Sequence, residues 1–243
     1  MPELPEVQIL VNQLAPRLER ARIVSIRSRD SKIKADRRLV GKRIHRVRRA
    51  GKNIVFDLSG GLHLLVHLRM TGWFEFEQPR RYRVMIVTTR GSAYFEDPRR
   101  LGTMQIVTTE ELDRIARRLG PDPLLDGCDL SRLRMTSRPI KVALLDQNRV
   151  AGVGNIYASE SLWRARINPR RRADKLKPAE LRALGKGIVA SLRRAIANGP
   201  RIFEVQQFNV YGRAGRPCLR CGTVIRRLVQ AQRSTYFCPK CQR

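Results

Sequence analysis

The first residues of the chain combine an amine with carboxylates in a pattern that suits covalent catalysis. Once Met1 is removed, Pro2 presents a secondary amine. An α-amino group has a pKa of about 8, well below the value of about 10.4 for lysine, so it is partly unprotonated near neutral pH and can attack a carbonyl-type carbon to form an iminium. Glu3 and Glu6 place carboxyl groups beside it for acid–base work. The alternative is an extended polar N-terminus without a chemical role.

Four of the five cysteines form two Cys-x-x-Cys pairs, Cys218 with Cys221 and Cys238 with Cys241. The sixteen residues between the pairs fall within the spacing of tetrahedral zinc sites. The alternative, a redox or disulfide pair, is disfavoured by the two matched pairs and by a reducing compartment. The sequence therefore predicts one structural zinc ion, and Cys128 is interpreted as a structural thiol.

The composition indicates a folded protein that binds a polyanion. The chain has 243 residues, with 50 Lys and Arg against 21 Asp and Glu, a formal net charge of +29 and a pI near 11.5. The basic residues are mostly arginine, which suits bidentate contacts to phosphate, and they are spread along the whole chain. Nucleic acid is the predicted partner, and an anionic membrane surface is the alternative. No run of about 18 apolar residues is present, and the N-terminus lacks the pattern of a signal peptide. We expect no membrane partner, a cytoplasmic, nucleoid-associated location and a monomer.

Hydrophobic periodicity divides the chain into a β-rich part and a helical part. A helix is predicted over residues 5–20, short strands over residues 22–107 and a further helix over 109–119, a pattern typical of a β-sandwich with flanking helices. The segment Gly120–Leu124 is a stiff break and a candidate hinge. Helices are predicted beyond it at Ser131–Thr136, Ile140–Leu145, Ile156–Ala165 and Lys177–Asn198. A hairpin of Thr223–Leu228 and Thr235–Phe237 is predicted between the cysteine pairs. The predicted strands are Ile23–Ile26, Ile44–Val47, Ile54–Leu58, Leu62–Leu68, Tyr82–Thr88, Ala93–Phe95 and Thr103–Val107.

Four further segments suit contacts with DNA. Lys52 follows Gly51 just before a predicted strand, where it could reach a phosphate. His67–Gly72 is a loop whose tip carries Met70, a flexible apolar side chain suited to filling irregular space. Asp97–Gly102 is a loop with two arginines beside an apolar tip, a combination that can hold open a base step. Val150–Ala158 is a glycine-hinged turn that enters a helix, whose N-terminal N–H groups attract phosphate. The alternatives are solvated turns, a methionine that covers the core and an ordinary helix–turn–helix.

Taken in order, these motifs span the chain from its first residues to its last cysteine. They are Pro2–Val7, Gly51-Lys52, His67–Gly72, Asp97–Arg100, Gly120–Leu124, Lys141–Gln147, Val150–Ala158, Tyr211–Arg213 and the four paired cysteines. In this order they resemble the formamidopyrimidine-DNA glycosylase/endonuclease VIII family of base-excision repair enzymes. The sequence Glu3-Leu4-Pro5-Glu6-Val7 is closer to the formamidopyrimidine branch.

The resemblance implies a bifunctional DNA glycosylase and abasic-site lyase that acts on damaged double-stranded DNA. Such an enzyme extrudes the damaged nucleotide from the duplex. The Pro2 nitrogen would attack C1′ of the sugar and displace the base, and Glu3 would be the acid–base group on the opened sugar. Elimination of the 3′ phosphate and then of the 5′ phosphate would leave a one-nucleotide gap.

The resemblance also assigns roles to individual residues. Residues that enter the space left by the base are Met70, Arg99 and Leu101. Residues that clamp the phosphates are Lys52, Asn155 and Arg233. Lys52 also belongs to the expected catalytic set. Lys141 is expected to face DNA, Glu160 to support the active site, and Glu6 to line the base pocket or support the structure.

The implied fold class is α+β and multidomain. It comprises an N-terminal helix with a β-sandwich, then a helical helix-two-turns-helix domain with a C-terminal zinc-ribbon-type finger. The expected boundaries are residues 1–120 for the catalytic domain, 121–128 for a hinge, 129–200 for the helix-two-turns-helix domain, and 201–243 for a lesion-loop remnant and the zinc finger.

Two departures from the family pattern bear on specificity. Leu101 stands where many formamidopyrimidine-type enzymes have an aromatic residue, so it can wedge but stacks poorly, and discrimination of the base opposite the lesion is expected to be weaker. The segment Arg201–Val210 is short where 8-oxoguanine-specific enzymes have a longer loop over the flipped base. Substrate preference is therefore expected to lean toward formamidopyrimidines, further-oxidised purines, oxidised pyrimidines or abasic sites.

Two other functions compete with this interpretation. A noncatalytic relative that binds damaged DNA would share the clamp and the zinc module but would not turn over. A basic zinc-ribbon protein of the ribosome or of transcription would leave Pro2 and Glu3 unexplained. The N-terminus discriminates between enzyme and binder, because the Pro2 nitrogen is an unreactive amide while Met1 remains attached.

Overall fold

The computed structural model describes residues 2–199 and 208–243. The chain divides into two compact units, Met1–Arg117 and Arg118–Arg243. The hinge over residues 121–128 and the zinc finger as a separate domain stay predictions. Among the helices of the described residues, none has the length and apolar character needed to cross a membrane.

The first unit contains the predicted β-sandwich, made of two four-stranded antiparallel sheets. One sheet has the order β1 (Ile23–Ser28), β6 (Val84–Thr88), β7 (Gly91–Glu96), β5 (Trp73–Glu75). The other has the order β2 (Ile44–Ala50), β3 (Asn53–Leu58), β4 (Leu62–His67), β8 (Thr103–Thr108). Alternation of buried and exposed residues along these strands places their apolar side chains in a common core.

Two helices cover the sandwich. Helix α1 (Leu4–Leu18) packs on β2 and β3, as the predicted apolar face requires, and ends two residues after Pro16, which cannot donate a helical hydrogen bond. Helix α2 (Thr109–Arg118) places Leu112 against the apolar outer face of the second sheet. The α1 residues in the core are Val7, Leu10, Val11, Leu14 and Leu18.

The short strand β5 is absent from the sequence-based prediction. Trp73–Glu75 has three residues, too few for a recognisable alternation, and Phe74 is fully enclosed between Phe56 and Phe95. Tertiary packing therefore defines this strand.

The second unit begins with helices that match the sequence-based expectation. A 3₁₀ turn over Ser131–Met135 is followed by α3 (Ile140–Leu145), α4 (Asn155–Arg164) and α5 (Pro178–Ala197). Helices α4 and α5 pack on each other. The start of α5 is fixed by the Glu180 carboxylate, which accepts a hydrogen bond from the Lys177 N–H (2.8 Å) and so gives a partner to the N–H group that precedes the helix.

The predicted C-terminal hairpin is present, but its strands have other bounds. It consists of β9 (Arg226–Gln230) and β10 (Arg233–Phe237), so the predicted bounds at Thr223–Leu228 and Thr235–Phe237 are wrong. Its turn is Ala231-Gln232, whose φ angles of 47° and 58° are both left-handed. Glycine or asparagine normally marks such a turn, and neither is present here. The short segment 201–210 lies outside the described residues except for its last three positions.

Candidate active site, DNA interface and metal centre

Three connections of the first unit lie at the same end of the β2–β3–β4–β8 sheet. Asn53 pairs with His67, and His67 pairs with Thr103. The hairpin turn that contains Lys52 therefore lies beside two connections between the sheets, the first loop over residues 68–72 and the second loop over 97–102. Because β5 also pairs with β7 in the other sheet, the two loops cross from sheet to sheet as neighbours.

The two loops present the residues that the resemblance assigns to the space left by the base. Met70 and Leu101 are 38% and 43% exposed although both are large and apolar, and Arg99 is exposed between them in sequence. Arg69 and Arg100 have left-handed φ angles of 56° and 53°, which shape the loop tips. Exposed apolar tips beside arginine suit insertion into a duplex, and insertion stays a prediction.

The start of α1 is fixed by Glu6. Its Oε2 accepts a hydrogen bond from the Glu3 N–H at 2.7 Å, which closes the first turn and orients the two residues before the helix. Pro2 and Glu3 are both buried. This contact gives Glu6 a structural role, and its place in the base pocket stays a prediction.

Arg49 joins α1 to the turn that contains Lys52. Its Nε donates to Gln8 Oε1 (3.0 Å), and its Nη1 donates to the Gly51 carbonyl (3.2 Å). The arginine is buried, so the brace is shielded from solvent. Arg49 thus connects α1 to the turn that carries the half-buried Lys52, within the first unit. Nothing in the sequence pattern singles out Arg49, which lies beyond the predicted strand Ile44–Val47.

His67, the last residue of β4 before the first loop, is a neutral side chain at physiological pH. Burial, together with the positive charges of Arg69 and Lys52, lowers its pKa to about 4. Its Nδ1 accepts a hydrogen bond from the Arg69 N–H (3.0 Å), which requires an unprotonated nitrogen. The neutral ring therefore holds the left-handed residue that precedes Met70.

The second unit corrects one prediction. Lys141 is expected to face DNA, yet it is completely buried, with 0% exposure. Its ammonium donates to Asn155 Oδ1 (2.5 Å), the Ser234 carbonyl (3.1 Å) and Thr235 Oγ1 (2.7 Å). A buried ammonium needs such partners because desolvation is costly. Lys141 therefore joins the start of α4 to strand β10.

Asn155 stands at the first position of α4, immediately after the glycine-hinged turn. Its Nδ2 donates to the Ser234 carbonyl (3.0 Å). The turn is fixed by Gln147, whose Oε1 accepts from the Gly152 N–H and whose Nε2 donates to the Val153 carbonyl, each at 2.9 Å. Sequence reasoning includes Gln147 in a motif without giving it this role. The helix N-terminus is thereby preorganised, and phosphate binding there stays a prediction.

The Glu160 carboxylate, on helix α4, is fully engaged in hydrogen bonds to residues 209–211. It is buried, and its Oε2 accepts from the backbone N–H and side-chain Nδ2 of Asn209 at 3.0 and 2.7 Å. Its Oε1 accepts from the N–H groups of Val210 and Tyr211 at 2.9 and 3.0 Å. Four hydrogen bonds to one carboxylate hold residues 209–211 in place beside α4. A direct role near the reacting atoms stays a prediction.

Arg233 is the first residue of β10 and is exposed directly after the tight turn. It pairs with Gln230 across the hairpin. The tip therefore projects a guanidinium into solvent, which suits the predicted phosphate contact.

The four paired cysteines form one metal site. Their sulfur atoms all lie within 4.8 Å of one another, and Cys221 and Cys238 Sγ are 3.6 Å apart. Four thiolates around tetrahedral Zn²⁺ stand about 3.8 Å apart, as follows from a Zn–S distance of about 2.3 Å. The donor set and its spacing fit a single structural zinc ion, and the separation is far too long for a disulfide.

Trp163 connects the helical part to the zinc site. Its indole Nε1 donates to Cys218 Sγ at 3.4 Å. The Arg220 guanidinium lies 4.0 Å from the centre of the indole ring and donates to the Trp163 carbonyl (3.1 Å). Sequence reasoning misses this contact because nothing in the local pattern relates helix α4 to the cysteines.

Comparison with known proteins agrees with this geometry along the chain. Residues 1–104 match the formamidopyrimidine-DNA glycosylase N-terminal domain, residues 119–207 its H2TH domain, and residues 215–243 the zinc finger found in FPG and IleRS. The formamidopyrimidine-DNA glycosylase of Roseiflexus sp. (strain RS-1) is 37% identical over 273 residues, and the match covers 100% of both proteins.

Two solved structures are similar over nearly the whole chain. The MutM (Fpg) protein of Thermus thermophilus superposes with a TM-score of 0.88 at 36% identity, covering 99% of this chain and 98% of that chain. Lactococcus lactis Fpg in complex with DNA containing FAPY-dG gives 0.88 at 30% identity, covering 99% and 100%. The chain therefore belongs to the formamidopyrimidine-DNA glycosylase family.

Proposed function

We propose that the protein removes oxidised bases from double-stranded DNA through a covalent intermediate on Pro2 and then cleaves the abasic strand. The observation that carries the proposal is the start of α1. There Glu6 fixes the Glu3 N–H, so that an N-terminal amine and a carboxyl group are held together at a defined position. The net charge of +29 supports a polyanionic substrate.

The chemistry follows from these two residues. The unprotonated Pro2 nitrogen bonds to C1′ as the bond from C1′ to the base breaks, and opening of the sugar ring gives an iminium. This cation withdraws electrons from C2′, so loss of a C2′ proton expels the 3′ phosphate. A second elimination expels the 5′ phosphate, and water releases the Pro2 amine. Glu3 transfers protons to and from the opened sugar.

Borohydride trapping tests the nucleophile. Reduction of the iminium should link the zinc-loaded protein covalently to duplexes that contain an abasic site or an oxidised base. The adduct should be absent from a form that retains Met1, confirmed by intact mass, because the Pro2 nitrogen is then an amide. Glu3→Gln should slow strand cleavage by about 10²- to 10⁴-fold.

Two results would count against the proposal. An adduct with the form that retains Met1 would mean that another amine, either a lysine or the α-amino group of Met1, can act as the nucleophile in place of Pro2. Tight binding without an adduct on any substrate would favour the noncatalytic, damage-binding function.

We further propose that 8-oxoguanine is a poor substrate compared with formamidopyrimidines, further-oxidised purines and oxidised pyrimidines. One feature of the sequence supports this: the segment 201–210 is short where 8-oxoguanine-specific enzymes have a longer loop over the flipped base. Single-turnover excision rates across these lesions, each opposite all four bases, test it. A strong preference for 8-oxoguanine would overturn it. We also propose that the protein acts as a monomer on nucleoid DNA in the cytoplasm.

A further inference from the structure

A buried arginine outside every predicted motif contacts the second of the two loops that present Met70, Arg99 and Leu101. Arg83 immediately precedes β6, and its side chain is only 6% exposed. Its backbone is fixed on both sides, because its N–H donates to the Phe95 carbonyl and its carbonyl accepts from the Arg29 N–H, each at 2.8 Å. The guanidinium is therefore held at one position in the sandwich.

The guanidinium of Arg83 contacts the second loop at both of its ends. Its Nη1 donates to Asp97 Oδ2 (2.7 Å) at the start of the loop and to the Gly102 carbonyl (2.9 Å) at the end. Asp97 Oδ2 also accepts from the Gly102 N–H (2.7 Å). The two ends of the loop are thus tied to each other and to one arginine.

The same carboxylate reaches the first loop. Asp97 Oδ1 accepts a short hydrogen bond from the Thr71 hydroxyl, and Thr71 Oγ1 accepts in turn from the Arg99 N–H (3.4 Å). Burial would raise the pKa of Asp97, but the hydrogen bonds from Thr71, Gly102 and Arg83 lower it. Asp97 is consequently a carboxylate that joins both loops.

Close packing at Gly72 and Gly102 restricts movement at the ends of the two loops. A Cβ at Gly72 would stand 2.5 Å from the Leu68 carbonyl oxygen, and one at Gly102 would stand 2.7 Å from the Phe95 ring. Both distances are shorter than real Cβ contacts allow, so the loop ends are packed to the limit that glycine permits.

A second carboxylate completes the network. Asp30 accepts from Arg83 Nε and, at 2.9 and 3.1 Å, from the guanidinium of Arg100 in the second loop. The Asp30 and Asp97 side chains are 1% and 0% exposed. Without Arg83, two buried carboxylates would lose the cation they share, which is strongly unfavourable.

We infer that Arg83 is a positioning residue that, through Asp97 and Thr71, holds the two loops at a fixed separation before DNA binds, and so governs lesion engagement rather than the chemistry at the sugar. The inference rests on the proposed function, in which these loops enter the duplex. A rigid pair of wedges needs no ordering at the moment of insertion, which favours binding to the opened base step.

The test is Arg83→Lys in the full-length, zinc-loaded protein. Lysine keeps the charge but cannot form the forked contacts to two carboxylates and a carbonyl. Excision of an oxidised base from a duplex should fall by about tenfold or more. Cleavage of a single-stranded oligonucleotide with a preformed abasic site needs no wedge, so its rate should change by less than about twofold. 2-Aminopurine placed opposite an abasic analogue should also show a smaller fluorescence change at saturation.

Arg48→Lys is the matched control. Arg48 makes a similar fork with Asp57 (2.7 and 3.1 Å) on the other sheet and contacts neither loop in the described residues. It should leave both activities and the 2-aminopurine signal at wild-type values. If Arg83→Lys does not fold, judged by circular dichroism, Thr71→Val decides the matter, since it removes the two hydrogen bonds between the loops and leaves Arg83 in place.

The outcomes separate the inference from the proposed function. The inference would be overturned, and the proposed function left intact, if Arg83→Lys kept the wild-type ratio of duplex excision to single-strand cleavage. The same holds for Thr71→Val if that variant has to replace Arg83→Lys. An equal loss of both activities would overturn it too, because the role would then be general stability. Failure of the wild-type protein to form an adduct or to excise any base would instead remove the proposed function.

Discussion

The burial of Lys141 distinguishes two kinds of basic residue in this protein. Arg233 is exposed at a hairpin, whereas Lys141 has three buried oxygen partners. Only Arg233 can reach a DNA phosphate and release a counterion from it. Arg233→Ala should therefore weaken DNA binding and reduce the slope of log K against log salt by about 1. Lys141→Met should weaken binding with an unchanged slope, because it misplaces Asn155 and the hairpin. Fluorescence anisotropy at several salt concentrations measures both quantities.

Lys141→Met should also lower stability, since buried oxygens lose their donor. Binding should therefore be measured below the unfolding transition of each variant. A smaller salt slope for Lys141→Met would contradict the positioning role and restore a direct phosphate contact. The sequence could not predict this burial, because a lysine in the run Ile140–Leu145 is normally placed on the solvent side of a helix.

His67 gives the protein a predictable dependence on pH. Its folded pKa is about 4 against an ordinary value of 6.5, so between these values the unfolded chain binds more protons. The contribution of His67 to the free energy of unfolding thus rises with pH in this window and is lost as pH falls. His67→Gln should flatten this part of the stability curve, measured by urea unfolding from pH 4 to pH 7.

The matched control for this prediction is His45→Gln, since His45 is exposed on β2. It should leave the curve unchanged. Direct NMR titration of His67 with a midpoint above pH 6 would contradict the prediction. Such a midpoint would also mean that the hydrogen bond from the Arg69 N–H does not hold the ring neutral.

At the scale of elements, the zinc hairpin depends on its metal. The thiolates would otherwise repel one another, and the short strands β9 and β10 have little apolar area of their own. Zinc removal should abolish DNA binding before it unfolds the first unit. The two tryptophans report this separately. In Trp73→Phe, chelation should change the emission of Trp163, whose Nε1 lies 3.4 Å from Cys218 Sγ.

The reverse variant, Trp163→Phe, retains Trp73 in the first unit, and its emission should not respond to chelation. A response there, or retained DNA binding after complete loss of zinc, would contradict the prediction. Metal content measured by mass spectrometry establishes that zinc has been removed in each case.

Elements with a strong local pattern could be predicted, and those defined by packing could not. Helices α1 and α5 and most strands follow from apolar periodicity. Strand β5 does not, because its three residues are selected by the ring cluster around Phe74. The predicted bounds of the hairpin strands were wrong because the Ala231-Gln232 turn has no glycine to mark it.

The candidate site shows the same division. Residues in named motifs could be singled out from the sequence, and the zinc ligands followed from spacing alone. Arg49, Arg83 and Trp163 could not, since each acts on partners brought near by the fold rather than by sequence.

At the scale of the whole molecule, the charge of +29 should dominate association with DNA. Each neutralised phosphate releases counterions, so affinity should fall by about 10³-fold or more between roughly 50 and 200 mM salt. Duplexes with and without an abasic site should give similar slopes and different intercepts, because recognition of the lesion is not chiefly a charge effect. Titrations at constant pH measure this. A slope near zero would contradict a phosphate-dominated interface.

The left-handed Ala231-Gln232 turn makes the hairpin tip a place where the protein can be engineered for heat tolerance. Two side-chain-bearing residues hold a conformation that asparagine and glycine adopt with less strain. The double substitution Ala231→Asn with Gln232→Gly should raise the free energy of unfolding of the zinc-loaded protein by about 1 kcal/mol. Urea unfolding measures the gain, and a loss would mean that the native side chains contribute more than the strain costs. A small change at a surface turn would then extend the working temperature of a repair protein without altering the residues proposed to carry out its chemistry.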